Sequence, residues 1–175
     1  MENARNLRYT VIGAGNGGLA MAGYLAFIGY DVNLYNRTEE KIISLKKNPE
    51  IVLSGSVKGK GRLKKVTSDI KEAIEDADII MMTTPANGHY PLAKKMASYL
   101  KDGQIIVLNP GRTGGAVEVY ATLENFGCDK YVTVAEAQTF IYACRATGSN
   151  SVRIFSAKNE VLLAAIPALE TKRVV

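Results

Sequence analysis

The sequence predicts an α/β domain: a doubly wound, mostly parallel sheet with helices on both faces and a short β-rich C-terminal extension. Three observations predict it. Short apolar runs rich in β-branched residues alternate with longer amphipathic stretches, the pattern of βαβ units. A glycine-rich turn joins the first run to the first amphipathic stretch. The runs are continuously apolar, as in Ile79-Ile80-Met81-Met82, which suits strands covered on both faces.

In chain order, strands are expected at Leu7–Ile12, Asp31–Tyr35, Asp78–Thr84, Gln104–Leu108 and Tyr131–Val134. Helices are expected at about Asn16–Ile28, Thr38–Lys47, Ser68–Asp76, Gly88–Leu100 and Gly114–Phe126. Thr38 before Glu39-Glu40, and Thr67-Ser68 before Asp69 and Glu72, are helix starts. Gly29 and Gly127 follow helical stretches where a left-handed cap is needed, and Lys101-Asp102-Gly103 closes another. Ile51–Leu53, Ser54–Gly61 and Leu63–Val66 read as a hairpin inserted after the second helix. After Ala135 the pattern changes. Thr139–Arg145 and Val152–Ser156 read as two strands joined by a Thr147-Gly148-Ser149-Asn150 turn, and Leu169–Val175 as a helix just beginning. The whole chain, 1–175, is thus expected to be one domain, a βαβ core over about 5–135 with an extension over about 136–168.

Composition narrows the function class. Among 175 residues, 47% are hydrophobic and 22% charged, which is ordinary for a globular protein. No apolar run is long enough to span a bilayer, and Met1–Arg8 is polar and runs straight into a strand. The two cysteines, Cys128 and Cys144, have no metal-like spacing and read as reduced thiols, so a cytoplasmic location without a membrane partner or metal is expected. The net charge of +5 owes much to Lys58–Lys65 (KGKGRLKK). A polyanion patch and a solvated hairpin tip both fit that run. The absence of interleaved aromatics favours the tip, so nucleic acid is not an expected partner.

Chemistry concentrates in the turn Gly13-Ala14-Gly15-Asn16-Gly17-Gly18. It carries G-x-G-x-x-G between an apolar strand and a helix, the context that makes the motif specific for a Rossmann-type dinucleotide site. Gly13 allows the tight turn, Gly15 lets backbone approach a pyrophosphate, and Gly18 lets the helix pack on the strand. Free N–H groups at the helix start then face the phosphates.

The end of the second strand speaks to which dinucleotide. NAD sites place Asp or Glu there, on the ribose hydroxyls. Here the residues are Asn36-Arg37-Thr38. Arg37 could stack on adenine and pair with a 2′-phosphate, and Asn36 and Thr38 could add hydrogen bonds, so NADP is preferred over NAD. The alternative is that Arg37 is merely a solvated residue at a sheet edge.

Ligands of doubly wound sheets lie beyond the carboxyl ends of the strands, which draws in two later loops. One is Thr84-Pro85-Ala86-Asn87-Gly88-His89. The other is Asn109-Pro110-Gly111-Arg112-Thr113-Gly114-Gly115, too elaborate for a plain turn. The candidate cofactor contacts are therefore Gly13, Gly15, Asn16, Gly17, Gly18, Asn36, Arg37, Thr38, Thr84, Pro85, Ala86, His89, Asn109, Gly111, Arg112 and Thr113. His89 is the single histidine. An acid–base role and a packing role are both open to it; with no partner of its own, packing is favoured. Arg112 could hold a carboxylate or phosphate, or bridge to a neighbouring acid.

At these segments the sequence resembles the N-terminal domain of the octopine/nopaline (opine) dehydrogenase family. The glycine loop is common to many dehydrogenases. Thr84-Pro85-Ala86 with His89, the Asn109–Gly115 loop, Glu136-Ala137-Gln138-Thr139 and Tyr142-Ala143-Cys144-Arg145 are more specific. The resemblance implies a reaction in which an amino acid condenses with a 2-oxo acid to an imine that NAD(P)H reduces. It also implies a second, helical domain that binds the amino acid and carries a His–Asp catalytic pair. None of the 175 residues can inherit that pair, so little or no turnover is expected from these residues alone. The expected partners are the two small substrates and a separately encoded helical domain or a second copy. Rival readings are a dehydrogenase of the 6-phosphogluconate, glycerol-3-phosphate or ketopantoate type, which the Asn109–Gly115 loop suits poorly, and a non-catalytic NADP(H)-binding module.

Overall fold

A computed structural model describes residues 7–175; Met1–Asn6, and with them most of the polar stretch ahead of the first strand, lie outside the described residues. The first βαβ unit is β1 (Arg8–Ile12), α1 (Asn16–Phe27) and β2 (Asp31–Tyr35). A 3-10 turn at Glu39–Lys41 leads into α2 (Ile43–Lys47). Three short strands follow, β3 (Glu50–Gly55), β4 (Gly59–Arg62) and β5 (Lys65–Thr67), then α3 (Ile70–Ile74) and β6 (Ile79–Met82). Next come α4 (His89–Met96), β7 (Ile105–Leu108), α5 (Gly115–Asn125) and β8 (Thr133–Ala137). The chain closes with β9 (Tyr142–Gly148), β10 (Ser151–Ala157), β11 (Leu163–Ile166) and α6 (Thr171–Val174).

Seven strands form the main sheet in the order β11-β8-β7-β6-β1-β2-β5. All its pairings are parallel except β8 with β11. Strand order reverses at β1, with β2 on one side and β6 on the other, which makes the β1/β6 boundary the topological switch point. The doubly wound expectation therefore holds. Asp78 ties the opening of β1 to that of β6: its carboxylate accepts from the Arg8 N–H at 2.8 Å and from the guanidinium at 2.9 and 3.1 Å. The Arg8 guanidinium holds the Asp78 carboxyl below its usual range.

Two apolar cores flank the sheet. One face packs Ile80, Met82 and Ile106 against Ile74, Met96 and Val119 of α3, α4 and α5. The other face packs Val11, Val32 and Leu34 against α1, and α1 in turn lies under a second, four-stranded sheet ordered β4-β3-β10-β9. Sandwiched between two sheets, α1 carries no charged residue and buries Leu19, Met21 and Leu25 alike.

The second sheet corrects the reading of the inserted hairpin. Glu50–Gly55 and Gly59–Arg62 are its two arms, but Leu63–Val66 is not part of it. The chain leaves β4, buries Leu63, and adds β5 to the edge of the main sheet beside β2, with Lys65 opposite Asn33. The strands of the tail pair antiparallel with each other, and β10 runs parallel to β3, placing Arg153 opposite Ser54. Strand β11 has no counterpart in the sequence reading. The last expected core strand is shifted too: β8 is Thr133–Ala137, carrying Glu136 to the edge where the loops gather. The cationic run has partners: Lys60 with Glu50 at 3.0 Å, Lys64 with Asp31 at 2.6 Å, and Lys65 with Glu72 and Glu75 at 3.6 Å.

The second sheet reaches α1 only because two glycines meet. A Cβ on Gly61 of β4 would lie 2.1 Å from the Gly23 carbonyl oxygen of α1, and one on Gly23 would lie 2.7 Å from Ile51. Gly61→Ala is expected to destabilise the chain by about 1–3 kcal/mol, the range for overpacking a tight interior contact. Urea unfolding followed by far-UV circular dichroism measures it, and an unchanged midpoint would refute the close contact.

Candidate functional site

The parallel register sets the carboxyl ends of five strands on one rung: Tyr35, Ile12, Met82, Leu108 and Glu136 are successive partners across β2, β1, β6, β7 and β8. Every loop singled out from the sequence therefore leaves from the same edge of the sheet.

The glycine turn at the switch point is held by backbone. Gly13 has φ 110°, a left-handed conformation that glycine adopts without strain, and its N–H donates to the Tyr35 carbonyl at 2.8 Å. A Cβ on Gly18 would stand 1.6 Å from the Gly13 oxygen, so the first turn of α1 touches the end of β1. Thr83 Oγ1 donates to the Ile12 carbonyl at 2.9 Å and braces the same turn from β6. Gly15 differs in kind. Its φ is −85°, which any residue adopts, and apart from its own chain neighbours nothing among the described residues lies within 4 Å of a Cβ placed there. Protein packing does not require glycine at 15; a ligand approaching the backbone would. Gly15 also starts α1, and the N–H groups of Asn16, Gly17 and Gly18 find no partner among the described residues.

The candidate residues separate into those that build the edge and those left open at it. Asn36 builds: its Oδ1 accepts from the Ala14 N–H at 3.1 Å and its Nδ2 donates to the Thr38 carbonyl at 2.8 Å. Asn16 also builds, accepting from the Ala146 N–H at 2.9 Å and so tying α1 to β9. Buried Asn109 donates to the Val107 carbonyl at 2.9 Å. Gly17 lies beneath the Phe140 ring, 2.9 Å from where its Cβ would be, and Gly111 packs on Glu136 in the same way at 2.3 Å. Arg37, Arg112 and Thr113 are exposed, and Thr38 is half-buried. Arg112 has φ 62°, left-handed and uncommon for a residue with a side chain.

A cleft of about 370 Å³ opens beside the glycine turn. Gly13, Tyr35, Asn36, Arg37, Thr84, Pro85, Asn87, Gly88, Pro91, Leu92 and Lys95 line it. Ala86 opens the 3-10 turn that carries this wall into α4. Lys95 and Pro91 were not singled out from the sequence, although Gly88, Pro91, Leu92 and Lys95 recur at the spacing of one helix face. Glu136 was noted only through the resemblance. Its Oε2 accepts from the Ala116 N–H at 2.8 Å and caps α5, where a carboxylate is favoured by the helix dipole.

His89 begins α4 and is completely buried. Its Nδ1 lies 3.3 Å from where a Cβ on Gly115 would be, so it fills the joint between α4 and α5, beneath the Asn109–Gly115 loop. Among the described residues, neither ring nitrogen has a partner in good hydrogen-bonding geometry, nor does the buried Thr84 Oγ1 nearby. With no exposed surface, His89 packs rather than exchanges protons with a substrate. Burial pushes its pKa down; the Glu118 carboxylate, the Thr84 backbone and the Glu136 carboxylate pull upward without reversing the shift. Among the described residues no group of three His, Cys, Asp or Glu side chains could hold a metal, and no helix is long and apolar enough to cross a membrane.

The depressed His89 pKa has a sign. The neutral ring is the folded-state form, so its contribution is complete above the ordinary 6.5 and is lost as pH falls through the folded value. As the sole histidine in the sequence, it is the one side chain whose ordinary pKa falls in that window. The urea midpoint is expected to fall between pH 7.5 and 5.5, and His89→Gln is expected to flatten that dependence. An equal fall in the variant would contradict the assignment.

Residues 8–111 match the family described as NAD-dependent glycerol-3-phosphate dehydrogenase N-terminus. The match stops inside the Asn109–Gly115 loop. An opine dehydrogenase from Arthrobacter sp. (strain 1C) is 36% identical over 161 residues, covering 91% of this chain and 45% of that protein. Two solved structures share the fold. Octopine dehydrogenase, in a structure with NADH and pyruvate, superposes with a TM-score of 0.81 at 22% identity, over 96% of this chain and 48% of that one. Yersinopine dehydrogenase with NADP+ bound superposes with a TM-score of 0.76 at 18% identity, over 92% and 41%. The chain thus spans less than half the length of these relatives.

Proposed function

This chain belongs to the NAD-dependent glycerol-3-phosphate dehydrogenase N-terminus family, and from that premise we propose that it is the NAD(P)-holding half of an opine-type dehydrogenase, with NADP preferred. One observation carries the cofactor reading: Gly15 stands open at the start of α1 on a turn whose other glycines are fixed by packing. The bare turn and the unpartnered N–H groups of α1 suit a pyrophosphate, and the 370 Å³ cleft beside them suits an adenosine. The opine type, rather than the glycerol-3-phosphate type, is supported by the reach of the likeness. It continues past residue 111 over 91% of the chain, through the loop and tail that resemble opine dehydrogenases.

Each element has a part in that reading. Gly13 and Gly18 set the turn against the end of β1. Asn36 holds the Ala14 amide and keeps the turn from opening. Arg37, at the open end of the cleft, faces the ribose. Bound here, the reduced nicotinamide supplies a hydride. Toward that end of the edge, Glu136 fixes the first turn of α5, and Gly111 packs on Glu136, so Arg112 and Thr113 are presented on a braced loop. Arg112 is the cation placed to receive a carboxylate of a 2-oxo acid or of the amino acid condensed with it. The proton donor is assigned to a helical partner domain, because the one histidine of these residues is enclosed in packing.

Gly15→Val separates binding from folding. The position is open and its φ ordinary, so the stability loss is expected to be confined to the poorer helix cap, about 1 kcal/mol. NADPH binding, followed by the fluorescence of the dihydronicotinamide, is expected to weaken at least about a hundredfold, because the new side chain occupies the approach to the diphosphate. Undiminished binding in a folded Gly15→Val chain would refute the proposed site.

A further inference from the structure

The adenosine end of the cleft carries a second cation that the sequence reading did not include. Lys95 lines the cleft opposite the end of β2, together with Arg37. One comes from the loop after β2, the other from the third turn of the Ala86–Met96 helical segment. The wall between them is apolar or neutral: Tyr35, Pro91, Leu92 and Asn36. Among the described residues no carboxylate lines this cleft. Three nearby cations are otherwise engaged. Lys46 pairs with Glu39 at 2.6 Å, Lys65 with Glu72 and Glu75 at 3.6 Å, and Lys94 stacks over the Phe126 ring at 4.6 Å. Arg37 and Lys95 have neither an ion pair nor a side-chain hydrogen bond among the described residues. Asp69 lines the adjoining trough that Lys95 also borders, and it caps α3 by accepting from the Glu72 N–H at 3.1 Å.

We propose that Arg37 and Lys95 form a two-sided clamp for a phosphomonoester on the adenosine ribose, the 2′-phosphate that distinguishes NADP from NAD. The proposal rests on the reading that a dinucleotide occupies this cleft. The diphosphate belongs to the glycine turn; two cations lining one cleft without an acid suit a second anion at its far end. Two like charges facing one acid-free cleft repel each other until a dianion sits between them, and charge-assisted hydrogen bonds to a phosphate are about twice as strong as neutral ones. Residue 36 completes the selection by absence: an asparagine there leaves no carboxylate to repel the phosphate. Adenine takes the apolar wall of Pro91 and Leu92, and Lys95, one turn further along α4, reaches past it.

The test is a set of equilibrium titrations on the full 175-residue chain. NADPH and NADH are followed by fluorescence, and 2′,5′-ADP and 5′-ADP by competition. The native chain is expected to bind NADPH and 2′,5′-ADP at least about tenfold tighter than NADH and 5′-ADP. Lys95→Gln should remove most of that ratio, about tenfold, while leaving NADH and 5′-ADP within about twofold. Arg37→Gln should also lower the ratio, and Lys95→Arg should retain the preference. Because Lys95 is exposed, the unfolding midpoint of each Lys95 variant should match the native one. Equal affinity of the native chain for both dinucleotides would overturn the clamp while leaving the cofactor site standing. So would a Lys95→Gln variant that weakens both alike. Failure of the native chain to bind either dinucleotide would overturn the cofactor reading itself, and the clamp with it.

Discussion

The contact between the first turn of α1 and the end of β1 governs the rest of the structure. With a Cβ on Gly18 only 1.6 Å from the Gly13 oxygen, no other residue fits there without moving the helix. That approach fixes the direction in which α1 leaves the sheet and turns its unpartnered N–H groups outward at the switch point. The Gly23–Gly61 contact then lets a second sheet lie on the opposite side of the same helix. A helix clamped between two sheets is hindered from tilting, which favours a glycine turn set in place before a ligand arrives. Preorganisation of this kind lowers the ordering cost of binding.

The functional edge is a consequence of parallel register. Because Tyr35, Ile12, Met82, Leu108 and Glu136 share a rung, five loops leave the sheet at one level. Side chains within that edge have divided roles. Asn16, Asn36, Asn109 and Glu136 tie loops to backbone, and His89 fills the joint between α4 and α5. Arg37, Lys95 and Arg112 remain as exposed cations. A frame tied mainly by neutral side chains, with exposed cations at its open ends, suits a ligand with several negative charges spread along its length.

Much of this was legible from residues alone, and the limits have physical causes. Periodicity located β2 at Asp31–Tyr35 and placed the other core strands and helices within a few residues, because core strands run apolar and helices repeat on one face. The left-handed caps at Gly29 and Gly127 were readable because only glycine adopts that conformation cheaply. The second sheet was not readable. Its β3–β10 pairing joins Ser54 to Arg153, and no local pattern encodes which distant strand an edge will meet. Leu63–Val66 misled for the same reason: an apolar run after a turn resembles a hairpin arm until another sheet claims it. At the site, motif spacing found Gly13, Gly15 and Gly18, whose demands are local. Lys95 escaped notice because its meaning depends on facing Arg37 across a cleft, and the structural duties of Asn36 and Asn16 depend on backbone groups far along the chain.

The central claim is that a diphosphate lies on the bare backbone between β1 and α1. Amide hydrogen exchange on the chain with and without saturating NADPH tests it residue by residue. Slowed exchange at residues 15–18, with smaller protection at residues 36–38 and 84–88, is the result this account predicts. Protection confined to other surfaces, with residues 15–18 exchanging at the ligand-free rate, would contradict it.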